Sequence, residues 1–275
     1  MAILLAGAFL AQAAGPKAVR AQAESSMLLT GTLAIAADGS VKEHALDQRD
    51  KLPSGVAKLV ADNVAKWRFR PATVPGGAEA AQVNMSLLIV AKKLDEEHYK
   101  VSIRAANFMD ARQRPGETVT GRRLAPPQYP KEAAASRING VVFLLLRVGR
   151  KGTVEDAFVE QVNLRVVGSD PQMAKARDML SRNALQAAKH WTFNPPTASE
   201  EAGEDAWVVR VPVDYLLWGA SRPAYGEWTT YIPGPRQRPA WADEDDASTS
   251  PEAMLAGGVY MVGDGPRLLT PLEQG

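Results

Sequence analysis

No cysteine occurs among the 275 residues, so disulfide bonds, thiolate metal sites and cysteine nucleophiles are all excluded. An excess of one charge is also lacking, because 32 Lys and Arg residues stand against 31 Asp and Glu residues and leave a formal net charge of +1. Proteins that bind nucleic acid or anionic membrane surfaces carry a basic patch, which this balance does not indicate. We therefore expect no nucleic acid among the partners.

Histidine is scarce, and His44, His98 and His190 are isolated from any ligand-like spacing. Residues 95–98 set carboxylates beside a histidine, but their polar surroundings favour a solvated loop. The acidic run at 243–246 lacks the spacing of a calcium loop, and no phosphate-loop, dinucleotide or Gly-x-Ser-x-Gly fingerprint occurs. The sequence therefore predicts that the protein is not an enzyme, with no catalytic residue, cofactor, metal or small-molecule substrate.

Long hydrophobic runs are missing too. Residues 2–10 are uncharged and apolar but too short to cross a bilayer core of about 30 Å. Ala-Gln-Ala cleavage patterns follow at 11–13 and 21–23, so residues 1–23 are predicted to be a secretory signal peptide. The alternative is a disordered or buried N-terminal segment. We expect an exported protein without a transmembrane anchor.

A β-hairpin, helix and strand occur in the same order twice along the chain. In the first copy, apolar residues from Gly31 lead to an Asp38-Gly39 turn, and an Asp-Gly pair between apolar runs is a strong hairpin signal. In the second copy, the apolar run 140–148 leads to a glycine-bounded turn at 149–152. We predict a hairpin at each place.

An amphipathic helix follows each hairpin, because apolar residues recur at a spacing of three to four. These residues are Leu52, Val56, Leu59, Val60, Val64 and Trp67 in the first copy, and Met173, Ala176, Leu180, Ala184, Ala187 and Trp191 in the second. Both helices end in Trp-x-Phe-x-Pro, where the proline favours extended backbone before it. We expect Trp67, Phe69, Trp191 and Phe193 to lie in the core. Strands at 82–91 and 207–217 follow, and 98–106 adds a strand to the first copy.

The strand at 207–217 alternates in polarity along its length. One face carries Trp207, Val209, Val211, Val213 and Tyr215, and the other carries Arg210, Pro212 and Asp214. Proline cannot donate to a ladder, so this strand is predicted to be an edge strand or to carry a bulge. The two charges and the proline are typical of residues that protect an exposed edge.

Composition divides the rest of the chain. Residues 110–121 are polar with Pro and Gly and are predicted to link a first unit at 27–109 to a second at 122–218. Residues 219–275 are rich in Pro and Gly, and we expect an extended or disordered tail. Its aromatic residues can attach it to the domain surface, and 259–269 has the pattern of a late hairpin.

The ordered motifs of the second unit resemble the TonB C-terminal domain, the periplasmic end of a bacterial energy transducer. The matching residues are Pro127-Gln-Tyr-Pro130, Gly140, Gly152-Thr-Val154, Trp191-Thr-Phe-Asn-Pro195 and Val209-Arg-Val-Pro-Val-Asp214. The resemblance covers roughly residues 120–217, and 27–91 resembles a degenerate copy. It implies an α+β fold of two units, each a small antiparallel sheet with a helix packed on one face.

The resemblance also implies a periplasmic protein that acts by recognising other proteins. In this family an extended segment of an outer-membrane receptor joins the sheet as an additional strand, so that main-chain hydrogen bonds supply the affinity. By position, the implied partner-binding residues are Gln128, Tyr129, Pro130, Val208, Arg210, Pro212 and Asp214. The expected partners are envelope proteins, a TonB-dependent receptor among them, and a homodimer is left open.

Two alternatives remain at this point. Gln128, Tyr129 and Pro130 can simply fix the path of the chain beneath the sheet, a task that suits Pro and Tyr. The whole protein can instead be a structural envelope protein whose two units pair edge to edge without a transport role.

Overall fold

The computed structural model describes residues 15–71, 81–95, 97–242 and 250–272. The apolar run at 2–10, the first cleavage pattern and the acidic run at 243–246 lie outside this part of the chain. The helices are α1 (Pro16–Arg20), α2 (Ser54–Val64), α3 (Lys131–Ala135) and α4 (Asp170–Ala188). The strands are β1 (Glu24–Ile35), β2 (Val41–Leu46), β3 (Ala81–Lys93), β4 (Tyr99–Asp110), β5 (Thr120–Arg123), β6 (Gly140–Gly149), β7 (Val154–Leu164), β8 (Thr192–Asn194), β9 (Ala206–Tyr215), β10 (Thr229–Tyr231) and β11 (Tyr260–Met261).

The first unit is an antiparallel sheet with α2 on one face. β1 pairs with β3, β3 pairs with β4, and β2 and β10 pair with opposite ends of β1. Gly39 makes the β1–β2 turn with a φ of 82°, a conformation that glycine adopts without steric cost. The hairpin and the added strand predicted after residue 98 are thereby confirmed.

The second unit is a sheet in the order β11-β9-β6-β7, with α4 packed on one face, and a short β5–β8 ladder beside it. The β6–β7 hairpin turns through Gly152, whose φ is 72°. Ser169 and Gln172 form a capping box at the start of α4, which satisfies backbone N–H groups of the first turn. The α+β class predicted from the sequence is confirmed.

Each unit closes its core with the Trp-x-Phe pair that follows its helix. Trp67, Phe69 and Phe193 are at most 1% exposed, and Trp191 is 4% exposed. The Trp191 indole Nε1 also donates a hydrogen bond to the Ala125 carbonyl at 2.8 Å. The prediction that these four aromatic residues lie in the core is confirmed.

The N-terminal helix α1 bears on the predicted signal peptide. Val19 of α1 is buried in the core of the second unit, as in the alternative of a buried N-terminal segment. Cleavage at 11–13 would keep this contact, whereas cleavage at 21–23 would remove it. Export and cleavage themselves stay predictions, and so does the descent of the two units from one repeat.

The two units are not joined edge to edge. Within the part of the chain that the structure describes, no strand between residues 24 and 110 pairs with a strand between 140 and 215. Instead β10 of the tail pairs with β1, and the next residue, Ile232, bridges to Leu164 of β7. The edge-to-edge arrangement is therefore wrong, because tail backbone already occupies the two edges that face each other.

The tail lies along both units over residues 219–242 and 250–272. Tyr231 is buried, Tyr225 exchanges hydrogen bonds with the backbone of Thr30, and Trp228 packs on the first core. The predicted late hairpin is wrong. β11 pairs with β9 of the second unit, whereas Leu268 bridges to Phe69 of the first, because left-handed turns at Gly263 and Gly265 redirect the chain.

Replacing Trp191 by alanine should lower the free energy of unfolding by about 3–5 kcal/mol, because it leaves a cavity in the core and an unpaired Ala125 carbonyl. Chemical denaturation measures the loss. Trp218→Ala is the matched control, since this tryptophan is 99% exposed and its loss should cost less than about 0.5 kcal/mol. Equal losses for the two variants would contradict the core placement of Trp191.

Candidate functional site

The backbone of β9 alternates between an inner and an outer side. It pairs with β6 from Ala206 to Tyr215. The Val208 and Pro212 carbonyls point outward, because they accept hydrogen bonds from the tail amides of Val262 (2.8 Å) and Gly257 (3.1 Å). The position where Pro212 lacks an N–H therefore faces away from β6. For this reason the proline removes no hydrogen bond between β9 and β6. The sequence predicted an edge strand or a bulge, whereas the β6–β9 register has no shift and β11 pairs with the outer side of β9.

The outer edge of β9 is covered by the tail. Tyr260 lies opposite Arg210 and Met261 opposite Val209 in an antiparallel pair. Together with the bonds to Val208 and Pro212, this contact spans five residues of β9. An incoming strand would have to use the same backbone groups as β11.

Arg210 is not the exposed, edge-protecting charge that the sequence suggested. Its side chain and that of Glu160 on β7 are each 2% exposed, and they form an ion pair at 2.8 Å. Arg236 of the tail joins them, with Nη2 at 2.6 Å from Glu160 Oε1. The sequence-based interpretation is wrong because the face of the sheet turned away from α4 is covered by the tail and not by solvent. A buried carboxylate held by two arginines instead ties β7, β9 and the tail together.

Asp214 is also paired and largely covered. Its carboxylate accepts a hydrogen bond from Arg165 Nη1 at 2.7 Å, while Arg222 of the tail lies at 3.7 Å. The side chain of Asp214 is 8% exposed, so the expectation that it shields the edge from solvent is wrong as well. Asp214 holds the end of β9 to the chain that follows β7.

The Gln-Tyr-Pro segment packs at the far end of β9. The Tyr129 hydroxyl donates to the Ile138 carbonyl, and its ring meets that of Tyr215 edge to face at 5.8 Å between centroids. Burial raises the pKa of the Tyr129 hydroxyl above its ordinary value. Pro130 precedes the first turn of α3, and Gln128 is exposed. These contacts are those of a segment that fixes the path of the chain beneath the sheet.

The seven implied residues do not form one compact patch. Tyr129 lies beside Tyr215, whereas Val208 lies six residues before Asp214, about 20 Å along the strand at about 3.3 Å per residue. A single extended segment along β9 can span this length. The arrangement therefore suits a strand and not a small ligand.

A cleft of about 420 Å³ lies between the two units. Its apolar wall includes Leu28, Leu88 and Phe143, and its polar groups include Arg165 and Glu252. Burial raises the pKa of Glu252, against the opposing effect of the hydrogen bond from Asn163 Nδ2 at 2.6 Å. Burial therefore disfavours the charged form of this carboxyl, which lies at the cleft between the units.

Comparison with known proteins identifies the second unit. The chain is 31% identical over 99 residues to Protein TonB of Xanthomonas campestris pv. campestris, strains B100 and ATCC 33913. The alignment covers 36% of this chain and 38% of each relative, so the chain spans well under half the length of the relatives it matches. The family model described as Gram-negative bacterial TonB protein C-terminal matches residues 125–217.

Residues 125–217 thus match the TonB C-terminal domain. The domain begins just after β5, contains α3, β6, β7, α4, β8 and β9, and ends two residues after β9. The resemblance stated from the sequence is confirmed over this range. The match does not extend to the first unit, whose likeness to the TonB C-terminal domain stays a prediction.

The described residues were also compared with the requirements of a membrane-spanning helix and of a metal site. Across the described ranges, no helix is both long and apolar enough to span a membrane. Within the same ranges, no three His, Asp or Glu side chains come together in a way that could hold a metal ion. The TonB C-terminal domain family points to the cell envelope.

Sequence reasoning missed Glu160, Arg236 and Tyr260. Glu160 is a charged residue in a strand, and Arg236 is one in the Pro-rich tail. Their distances along the sequence from Arg210 do not indicate that both arginines bind the Glu160 carboxylate. Tyr260 lies in a short apolar stretch between glycines whose pattern predicts an extended segment but does not indicate that it pairs with β9. The alternation of β9 did contain a signal, since a charge in a strand with tyrosine and valine neighbours can be buried if paired.

Arg210→Met should lower the free energy of unfolding by about 3 kcal/mol, the lower end for a broken buried ion pair, because Arg236 remains on Glu160. Urea denaturation measures this loss. The double variant Arg210→Met, Glu160→Met should recover most of it, since the buried carboxylate that lost one of its two arginines is removed. A loss below about 0.5 kcal/mol for the single variant would contradict the buried pair.

Glu252→Gln should stabilise the protein at neutral pH, because burial raises the pKa of this carboxyl in the folded state. The folded protein then binds a proton more tightly than the unfolded chain, so the stability that Glu252 contributes is full at low pH and is lost as the pH rises through the folded pKa. Urea denaturation from pH 7.5 down to about 4 should show the advantage of the variant shrinking. Exposed Glu43→Gln is the control, and a pH-independent difference for Glu252→Gln would contradict the assignment.

Proposed function

We propose that this protein is a TonB-like module of the cell envelope that binds an extended segment of an outer-membrane receptor by strand addition at β9. One observation carries the proposal: the outward backbone groups of β9 accept an antiparallel strand, Tyr260–Met261 of the tail. Strand addition needs such an edge, and the main-chain bonds to Val208 and Pro212 are of the kind that a receptor segment would make.

The implied residues take different parts in this function. Val208 and Pro212 act through their outward carbonyls. Arg210 and Asp214 are positioning residues, because their ion pairs hold β9 against β7 and against the segment that follows β7. Gln128 is exposed and is proposed to contact the bound segment, while Tyr129 and Pro130 support the path of their own chain.

A receptor of the TonB-dependent class is the proposed partner, since the family match supports a part in transport across the envelope or in energy transduction. The relatives are named Protein TonB, and we extend that role to this chain as a proposal. Location in the periplasm and the absence of enzymatic activity are parts of the same proposal.

A structural role in the envelope is the second candidate. It is favoured by the tail, which joins both sheets at residues 229–232 and adds the Arg236–Glu160 ion pair. In that case the tail completes a rigid two-unit body, and β9 needs no partner from outside. The two candidates differ in whether a receptor segment competes for β9.

Val208→Pro should abolish receptor capture while the protein stays folded, because it removes an outward-facing N–H and not a bond to β6. The tagged chain would be used to capture proteins from solubilised outer membranes of the bacterium that encodes it. Each captured receptor would be identified by mass spectrometry, and a labelled peptide of its N-terminal extended segment would be titrated against the chain. The dissociation constant of that peptide should rise at least about tenfold in the variant, which is a loss of about 1.4 kcal/mol.

Val208→Ala is the matched control, since it shortens the side chain and keeps the N–H. Circular dichroism verifies that both variants fold. Equal peptide affinity in all three proteins would place recognition away from β9. The absence of any captured receptor would favour the structural role.

A further inference from the structure

We propose that residues 257–262 are a displaceable internal strand that occupies the β9 edge in place of the partner segment and gives way when that segment binds. This proposal rests on strand addition as the function of β9. It adds that the site is closed by its own chain in the free protein and that binding there is competitive.

The contact between the tail and β9 is small. β11 contributes two paired residues, whereas β6 pairs with β9 over ten positions from Ala206 to Tyr215. A typical main-chain hydrogen bond contributes about 1 kcal/mol net. An incoming segment that followed the outer side of β9 from Ala206 to Asp214 would make more such bonds than β11 does.

Two glycines allow the segment to detach. Gly257 and Gly263 have φ values of 85° and 84°, and a Cβ atom built on either would meet nothing within 4 Å. Packing therefore does not demand glycine at these positions; the left-handed backbone does. Because glycine adopts positive and negative φ about equally well, the chain can swing at both ends of β11 without steric cost.

The tail stays attached on both sides of this segment. Before it, Ala253 is buried against Leu88, Val90 and Ala105 of the first sheet. After it, the Leu269 amide donates to the Arg68 carbonyl at 2.7 Å, next to the Leu268–Phe69 bridge. Release of residues 257–262 would therefore leave the segment tethered beside β9, at a high effective concentration for return.

The side chains of β11 define what a partner segment has to replace. The Tyr260 hydroxyl donates to the Leu255 carbonyl at 3.1 Å and accepts from the Leu255 amide at 2.9 Å, so these bonds are made within the tail and not to β9. Met261 packs in the core of the second unit, opposite Val209. The partner segment must consequently be extended and must supply an apolar side chain above Val209.

Native-state hydrogen exchange tests the opening without any partner. The Gly257 and Val262 amides bond to β9, whereas the Val209 and Val211 amides face β6. If the segment detaches on its own, its two amides should exchange at least about a hundredfold faster than the two of β9, and with little dependence on denaturant. Equal protection at all four amides would overturn the proposal.

A reversible disulfide between β9 and β11 tests whether the tail segment and the receptor peptide compete for β9. Val209 and Met261 are direct partners in a pair without mutual hydrogen bonds, where Cα atoms lie about 4.5 Å apart and a disulfide fits. The chain has no other cysteine, so Val209→Cys with Met261→Cys forms one defined bridge. The oxidised protein should bind the receptor peptide at least about tenfold more weakly than the reduced protein.

Met261→Cys alone, under the same oxidising conditions, should show no such difference. Equal binding by the oxidised and reduced double variant would overturn the proposal even if β9 binds the receptor. If no receptor is captured by any variant, strand addition itself fails as the function. The exchange measurement then decides alone whether the segment opens, with fast exchange upholding the displaceable strand and full protection overturning it.

Discussion

An outer β-strand leaves half of its backbone donors and acceptors without a neighbour, and the arrangement of this protein follows from how those of β9 are satisfied. β6 takes the inner side of β9 over its whole length, while a two-residue strand of the tail takes part of the outer side. Because Pro212 has no backbone N–H, the outer side of β9 has one hydrogen-bond donor fewer to satisfy. A short strand that covers part of a sheet edge protects the edge from aggregation, and another strand can still replace it there.

The Arg210–Glu160–Arg236 cluster gives that edge a fixed position. Both charges of the central pair are buried, so each depends on the other for the hydrogen bonds it lost on leaving water. Arg236 brings the tail into the same network and thereby holds residues 229–237 beside β1 and β7. The tail thus makes an ion pair and backbone bridges beside β1 and β7, whereas its pairing with β9 is limited to two residues, the segment that we propose to be displaceable.

Polar and charged side chains meet beside the tail where it lies between the two units. The Asn163 side chain accepts a hydrogen bond from the Gly234 amide and donates one to the Glu252 carboxylate. The Glu24 carboxylate forms an ion pair with Arg104 and accepts a hydrogen bond from the Tyr231 hydroxyl. Such groups must all be satisfied at once, which specifies one relative placement of the contacting segments. Burial raises the pKa of Glu252 at this place, so the folded state holds a proton on this carboxyl more tightly than the unfolded chain does.

Local pattern determined much of this protein. The hairpins at Gly39 and Gly152, the helix faces, the buried Trp-x-Phe pairs and the outward side of Pro212 all follow from periodicity and backbone chemistry within a few residues, and the ordered motifs pointed to the TonB C-terminal domain. The tertiary structure alone decided that Arg210 and Asp214 are buried, and that residues 257–262 lie on β9. The physical reason is that burial and edge pairing depend on segments such as Glu160 and Tyr260, 50 residues away from Arg210 in opposite directions, whose approach no local spacing encodes.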